Sequence, residues 1–340
     1  MQRGRGKRLL DVGPLAALIG FSVVAVAGYA IFGRDPTRVA GLSPGAARFY
    51  AVSFGFFAQV QIALAGVVLA VHLLRRAGWR WLGAFVAVYV LSLGSELLGT
   101  AFGVPFGPYA YTDLLGAKWL DLVPALIPLS WFFMAVPAYG LAARALDSED
   151  AAATGGPTGA VRSAGSSAGS SAGRVGSGRV AGLAGPVGAG RVGGLAGSGW
   201  GGRIVLGSLL LLAWDLSLDP AMSEATRYWV WAESGPYYGM PLMNLVGWYV
   251  TGVVLMAALE WLGARRWLSG VSAGWLALFY AANLVLPLGM AAAAGLWGAV
   301  VATVVVLGGV ALWARLRSRP GGARLVPAPV EASSGAEVGR

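Results

Sequence analysis

Apolar residues run along this chain in eight stretches of similar length, each closed by a short polar or Gly/Pro-rich segment. The stretches cover about 14–32, 49–73, 79–101, 119–143, 203–219, 243–262, 272–289 and 292–313. A helix rises 1.5 Å per residue, so each is near the roughly 20 residues that cross a 30 Å hydrocarbon core. The pattern predicts an all-α polytopic membrane helix bundle of about eight transmembrane helices. It divides into membrane spans 1–4 within residues 1–146, a linker at 147–202, spans 5–8 within 203–314, and a polar tail at 315–340. Residues 151–202 are Gly, Ala, Ser and Val with arginines and no acid, a composition that buries nothing and reads as a flexible cytoplasmic spacer. The tail, with Pro320, Pro327 and Pro329, is expected to be disordered.

Composition agrees with the pattern. The chain is 57% hydrophobic and 12% charged, with a mean hydropathy of +0.68, which excludes a soluble domain. The net charge of +10 would suggest nucleic acid, but its distribution points elsewhere. With the N-terminus in the cytoplasm, only Arg34, Arg38, Arg48, Lys118 and Arg227 of the 25 Lys and Arg residues fall outside. That is the positive-inside bias, and it places both termini in the cytoplasm of a multi-pass protein of the cell membrane. The basic balance is therefore topology, with an attraction to anionic lipid and no nucleic-acid partner. The first run resembles a signal peptide, but its length and the lack of a small-residue cleavage site predict a retained span. The chain has no cysteine, so thiolate nucleophiles and thiolate metal sites are excluded.

Three acids interrupt the apolar pattern. Asp215 and Asp219 close the fifth run one helical turn apart, which puts them on one face. Glu96 holds a similar place near the end of the third run. An ionisable group at bilayer depth costs about 2.5–3.5 kcal/mol even on a lenient scale, so such residues point to function.

Each acid precedes a dense aromatic segment. The first block runs from Glu96 through Gly103, Pro105, Gly107-Pro108-Tyr109, Tyr111 and Lys118 to Trp131. The second runs from Trp214-Asp215 and Asp219-Pro220 through Trp229, Trp231, Gly235-Pro236-Tyr237-Tyr238 and Asn244 to Trp248. An interfacial loop with an aromatic belt would have much the same composition as the first block alone. The two blocks share an order of acid, Gly-Pro-Tyr and returning Trp, which suggests a parallel internal repeat about an axis along the membrane normal. His72 and Glu260, each near a pair of arginines, read as interfacial side chains, and Asn283 as an interhelical hydrogen-bond partner.

The paired blocks resemble the CruF-type carotenoid hydratases, integral membrane proteins of carotenoid biosynthesis that include carotenoid 1′,2′-hydratases and bisanhydrobacterioruberin hydratases. The resemblance rests on Glu96 with the Gly-x-Pro-Phe-Gly-x-Tyr-x-Tyr stretch 103–111, on Ile127-Pro128-x-x-Trp131, on Trp214-Asp-Leu-x-Leu-Asp-Pro220, and on the Gly235–Trp248 stretch. It covers about residues 80–145 and 204–262, and the 151–202 segment looks like an insertion. It implies a carotenoid substrate held in the bilayer, water as co-substrate, neighbouring carotenoid-pathway enzymes as partners, and neither cofactor nor metal. The reaction implied protonates carbon 2′ of an acyclic (ψ) end group, such as that of γ-carotene or a bacterioruberin precursor, and water captures the tertiary cation at carbon 1′.

The residues suit that chemistry. Burial and a like-charged neighbour favour a protonated carboxylic acid, which makes Asp219 the candidate acid, Asp215 its partner and Glu96 the water-orienting base. These roles can be permuted. Tyr109, Tyr111, Trp131, Trp214, Trp229, Trp231, Tyr237, Tyr238 and Trp248 can face the cation or the polyene, and Asn244 can place the water. Two other classes fit the paired acids. A UbiA-like prenyltransferase, such as a lycopene elongase, would hold magnesium and a diphosphate on them. A proton-coupled transporter would pass protons along them.

Overall fold

The computed structural model describes residues 2–154 and 199–317. Eight long helices form the bundle: α1 (Gln2–Gly28), α2 (Pro44–Ala77), α3 (Leu82–Phe102), α4 (Ile127–Thr154), α5 (Trp200–Asp219), α6 (Leu242–Trp261), α7 (Ala273–Ala294) and α8 (Trp297–Arg317). Each contains a segment long and apolar enough to cross a membrane. The chain is thus a polytopic integral membrane protein. Most of the intended spacer, 155–198, and all of the tail from 318 onward lie outside the described residues.

Local chemistry sets the helix ends. Ser43 caps α2, its hydroxyl accepting from the Ala46 N–H, and Pro44 supplies the preset φ of a first turn. Gly103 ends α3 in the left-handed region, at φ 73°, where a side chain would be strained. The fourth span begins at Ile127, later than the apolar run suggests. Lys118–Trp119 and Val123–Pro124 instead make a small antiparallel hairpin, β2 and β3. The cause is readable: Pro124 and Pro128 disfavour a helix interior, and Pro128 suits a helical first turn.

The helices differ in depth. In α4 and α5, 78% and 72% of the spanning segment is buried within the protein, against 11% for α8, so the first two are the centre and α8 is peripheral. Helices α3 to α6 pack as a ring, α3 on α4, α4 on α5, α5 on α6, and α6 back on α3. Helix α1 packs on α2 and on α7, and α2 and α7 each pack on α4.

The two acid-bearing loops meet at one end of the ring. Strand β1 (Tyr109–Tyr111) pairs antiparallel with β4 (Trp229–Trp231), with Ala110 opposite Val230. Backbone bonds from Thr112 to Tyr228 O and from Ala232 to Pro108 O, both 2.9 Å, extend the ribbon. The pairing differs in one respect from the sequence alignment of the two blocks. Gly235-Pro236-Tyr237 does not match Gly107-Pro108-Tyr109 in space but folds its own tight turn, through bridges of Gly235 with Gly239 and Tyr237 with Met240.

Candidate active site

Beneath the ribbon, the ends of α3 and α5 bring the acids together. Glu96, Asp215 and Asp219 are all buried. Glu96 sits in a cradle of three donors. Trp131 Nε1 donates to Oε1 at 2.8 Å, and the Tyr111 hydroxyl to Oε2 at 2.9 Å. Tyr109 donates a short bond to the same Oε2. Burial first, and the Glu96 carboxylate second, push both phenols well above the usual tyrosine range, so they stay protonated and donate. Beside Glu96, the hydroxyls of Ser95 and Thr251 meet at 2.8 Å and tie α3 to α6.

The aspartates form a second cluster. Asp215 and Asp219, one turn apart on α5, both face the Asn244 amide. The Asn244 amide, from the first turn of α6, donates to Asp219 Oδ2 and lies 3.4 Å from Asp215 Oδ2. Asp215 Oδ1 is buried with no hydrogen-bond partner among the described residues. The helix beyond Asp219 widens into a π-turn, Pro220–Glu224. Pro220 has no N–H to give Leu216 O, the acceptor four residues back, and the Tyr237 hydroxyl fills that vacancy at 2.7 Å.

Glu96 and Asp219 line one small cavity of about 30 Å³, together with Tyr109, Tyr111, Trp229, Trp231, Asn244 and the two tryptophans of the returning helices. Those two, Trp131 and Trp248, stack with ring centres 4.0 Å apart and planes 24° apart. Among the described residues, no Lys or Arg lines this cavity. Close packing at the ribbon requires glycine at position 247, where a Cβ would lie 2.6 Å from the Phe106 ring and 2.8 Å from Pro105 O.

The remaining residues singled out in the sequence lie elsewhere. Asp215 stands behind Asp219, off the cavity wall. Trp214 lines a neighbouring cavity and hydrogen-bonds Asn283 O at 3.3 Å. Tyr237 holds the freed Leu216 carbonyl, and the Tyr238 hydroxyl packs on Gly298 of α8. The Asn283 amide bonds Phe279 O within its own helix rather than a partner helix. Glu260 pairs with Arg203 of α5, at 2.6 and 2.9 Å, and accepts from Tyr139. His72 stacks on Trp275 with ring centres 3.6 Å apart. Two cavity residues carried no sequence signal of their own, Ser130 and Leu218, ordinary residues placed by the turn of their helices. Phe106 and Ile127 belong to the quoted Gly-x-Pro-Phe-Gly and Ile-Pro-x-x-Trp motifs.

This pairing of two acid blocks across one ribbon falls inside a known sequence family. The family model for carotenoid biosynthesis proteins matches residues 57–165 and 191–310, well over half of the chain, including all three acids and both tryptophans. The chain belongs to that family. The unmatched stretch between 165 and 191 lies within the Gly/Ala/Ser segment, as an insertion relative to the family would. A bisanhydrobacterioruberin hydratase of Haloarcula japonica is 28% identical over 216 residues, which are 63% of this chain and 55% of that relative. The match thus spans only about half the length of the relative. No solved structure matches the chain.

Proposed function

We propose that this carotenoid biosynthesis protein is a cofactor-independent hydratase that adds water across the terminal 1′,2′ double bond of an acyclic carotenoid end group. The observation that carries the reading is the shared cavity: an acid from each of the two sequence blocks faces one small, aromatic-walled space. Its volume of about 30 Å³ exceeds the roughly 10–15 Å³ that a water needs, and the relative's name supplies the class of reaction.

The Asp219 carboxyl gives its proton to carbon 2′, the π pair forming the new C–H bond and leaving the cation at carbon 1′. Two buried carboxyls one turn apart favour holding a proton between them, so Asp215 serves as the partner that keeps one on Asp219. Water held by Glu96 and Asn244 attacks carbon 1′ and loses a proton to Glu96. That proton returns to the aspartate pair before the next turnover, so the net change is alkene plus water to tertiary alcohol. The tryptophan faces stabilise the cation while it exists. Charge bias places both termini in the cytoplasm and this site toward the outer leaflet, with 155–198 as a spacer. The absence of any described Lys or Arg on the cavity wall disfavours a diphosphate.

Replacing Asp219 by Asn keeps the shape and removes the acid. General acid catalysis contributes about 100- to 10,000-fold, so the unhydrated carotenoid should accumulate in pigment-producing cells expressing the variant. Near-normal conversion would move the acid's role to Asp215 or Glu96. Conversion that requires magnesium and lengthens the chain would replace the reading with a prenyltransferase.

A further inference from the structure

The acid cavity does not end at its own walls. A second cavity of about 70 Å³ lies between α2, α4, α5 and α7, and shares Ile127, Ser130, Leu218 and Trp229 with it. A third, about 290 Å³, lies between α1, α2 and α7 and shares Ala58, Tyr228 and Leu286 with the second. Each wall between neighbours is one layer of side chains. The outermost chamber includes Val24 and Phe49, 58% and 57% exposed, so it reaches the lipid-facing side of the bundle.

We infer that these three spaces form one substrate tunnel, through which a linear polyisoprenoid end passes from the bilayer, between α1 and α2, to the acids. Ala58, Tyr228 and Leu286 make its selectivity neck. This rests on the hydratase reading for its final step but on separate observations for the path. Several polar side chains along the route are engaged by protein partners. Ser22 donates to Gln61 Oε1 at 3.1 Å, Asn283 to Phe279 O at 2.9 Å, Ser130 to Ile127 O at 2.7 Å, and Tyr228 to Phe54 O at 2.8 Å. A mostly apolar wall whose few polar groups are largely engaged suits a hydrocarbon better than a sugar or nucleotide. The bond from Tyr228 to Phe54 O also fixes that ring at the junction of the outer two chambers. Ala58 has the smallest side chain of the three, and the step down from about 290 to 70 to 30 Å³ toward the acids favours a slim branched end over a ring bearing geminal methyl groups. The chambers widen outward, as needed to seat the polyene behind an end group held at the acids.

The test uses the full-length protein in detergent or nanodiscs. An acyclic carotenoid should quench the tryptophan emission as it binds, and a carotenoid cyclised at both ends should not. Ala58→Phe fills the neck from α2 and Leu286→Phe from α7. Each should weaken both binding and conversion of the acyclic carotenoid at least tenfold, while Val86→Phe, on the exposed face of α3, should change neither. Thermal unfolding of each variant identifies the folded ones, and two blocking positions on different helices guard against loss of either. Should both misfold, the discrimination between acyclic and doubly cyclised carotenoid by the unaltered protein decides. Binding abolished by the blocks without any hydration in the parent protein would keep the tunnel and remove the hydratase reading. Full hydration in both blocked variants would keep the hydratase and overturn the tunnel. Equal binding of the doubly cyclised carotenoid, or a lipid acyl chain that carotenoid cannot displace from the chamber, would also overturn it.

Discussion

Replacing Glu96 by Gln separates the structural and chemical roles of that side chain. The carboxylate accepts from Trp131 at one oxygen and from Tyr109 and Tyr111 at the other. In the glutamine variant the amide oxygen can keep the fixed indole N–H, while the amide NH₂ donates to the two phenol oxygens, whose hydroxyl protons can rotate away. The cost is then the weakening of two charge-assisted bonds and the displacement of their protons, about 1–3 kcal/mol. Against a typical total of about 5–15 kcal/mol the variant stays folded. The charge, however, is gone, together with the base that receives the water's proton, and the loss in conversion should be about 100-fold or more. Tyr111→Phe is the paired control, because it removes one donor but keeps the charge. One such bond is worth about 1.5 kcal/mol or somewhat more, or roughly a tenfold loss. The assay is pigment conversion by purified protein, normalised to folded protein from thermal unfolding. Wild-type turnover by Glu96→Gln in a folded protein would refute the reasoning and leave Glu96 as a structural acceptor. A loss no greater than that of Tyr111→Phe would do the same for its role as base.

Other consequences lie away from the acids. Arg203 is paired to Glu260, 21% exposed at its side chain, and lies 3.7 Å from Asp147; weakening bonds to a charged group costs about 1–3 kcal/mol, so Glu260→Gln should lower the unfolding temperature in detergent by a few degrees while conversion per folded molecule is kept. A drop in conversion per folded molecule would tie that network to the site. Shortening 155–198 to about ten Gly/Ser residues should leave conversion intact, since doubling a loop costs only about 0.6 kcal/mol; loss of activity at normal membrane abundance would contradict the spacer role. Single cysteines at positions 108 and 234 should react with an impermeant thiol reagent on intact cells, and one at 170 only after lysis. The reverse pattern would invert the topology.

Much of this architecture was legible from hydropathy alone, because backbone polar groups in lipid must be satisfied within the helix, and this forces eight long apolar runs. The fourth boundary was less so. The run from 119 is apolar enough for helix, and only its prolines betray the hairpin at Lys118–Pro124. The acids and their aromatic neighbours stood out because charge at membrane depth is costly. What spacing could not supply was which partner each one meets. Tyr109 and Tyr111 reach across to Glu96 rather than solvent, and Tyr237 turns away to a carbonyl that Pro220 leaves free. The route past Ala58 and Leu286 left no mark in the sequence, since an alanine or leucine lining a path reads like one in a core.

The central claim is that a protein carboxyl adds a proton, and water adds oxygen, to an isolated terminal alkene. Incubating the purified protein with an acyclic carotenoid in deuterated, oxygen-18 water, followed by mass spectrometry of the product, tests it most directly. The account predicts one deuterium at carbon 2′ and one oxygen-18 in the new tertiary hydroxyl, with neither appearing at this rate in the Asp219→Asn variant. A hydroxyl oxygen drawn from dioxygen, or a product without deuterium at carbon 2′, would contradict it.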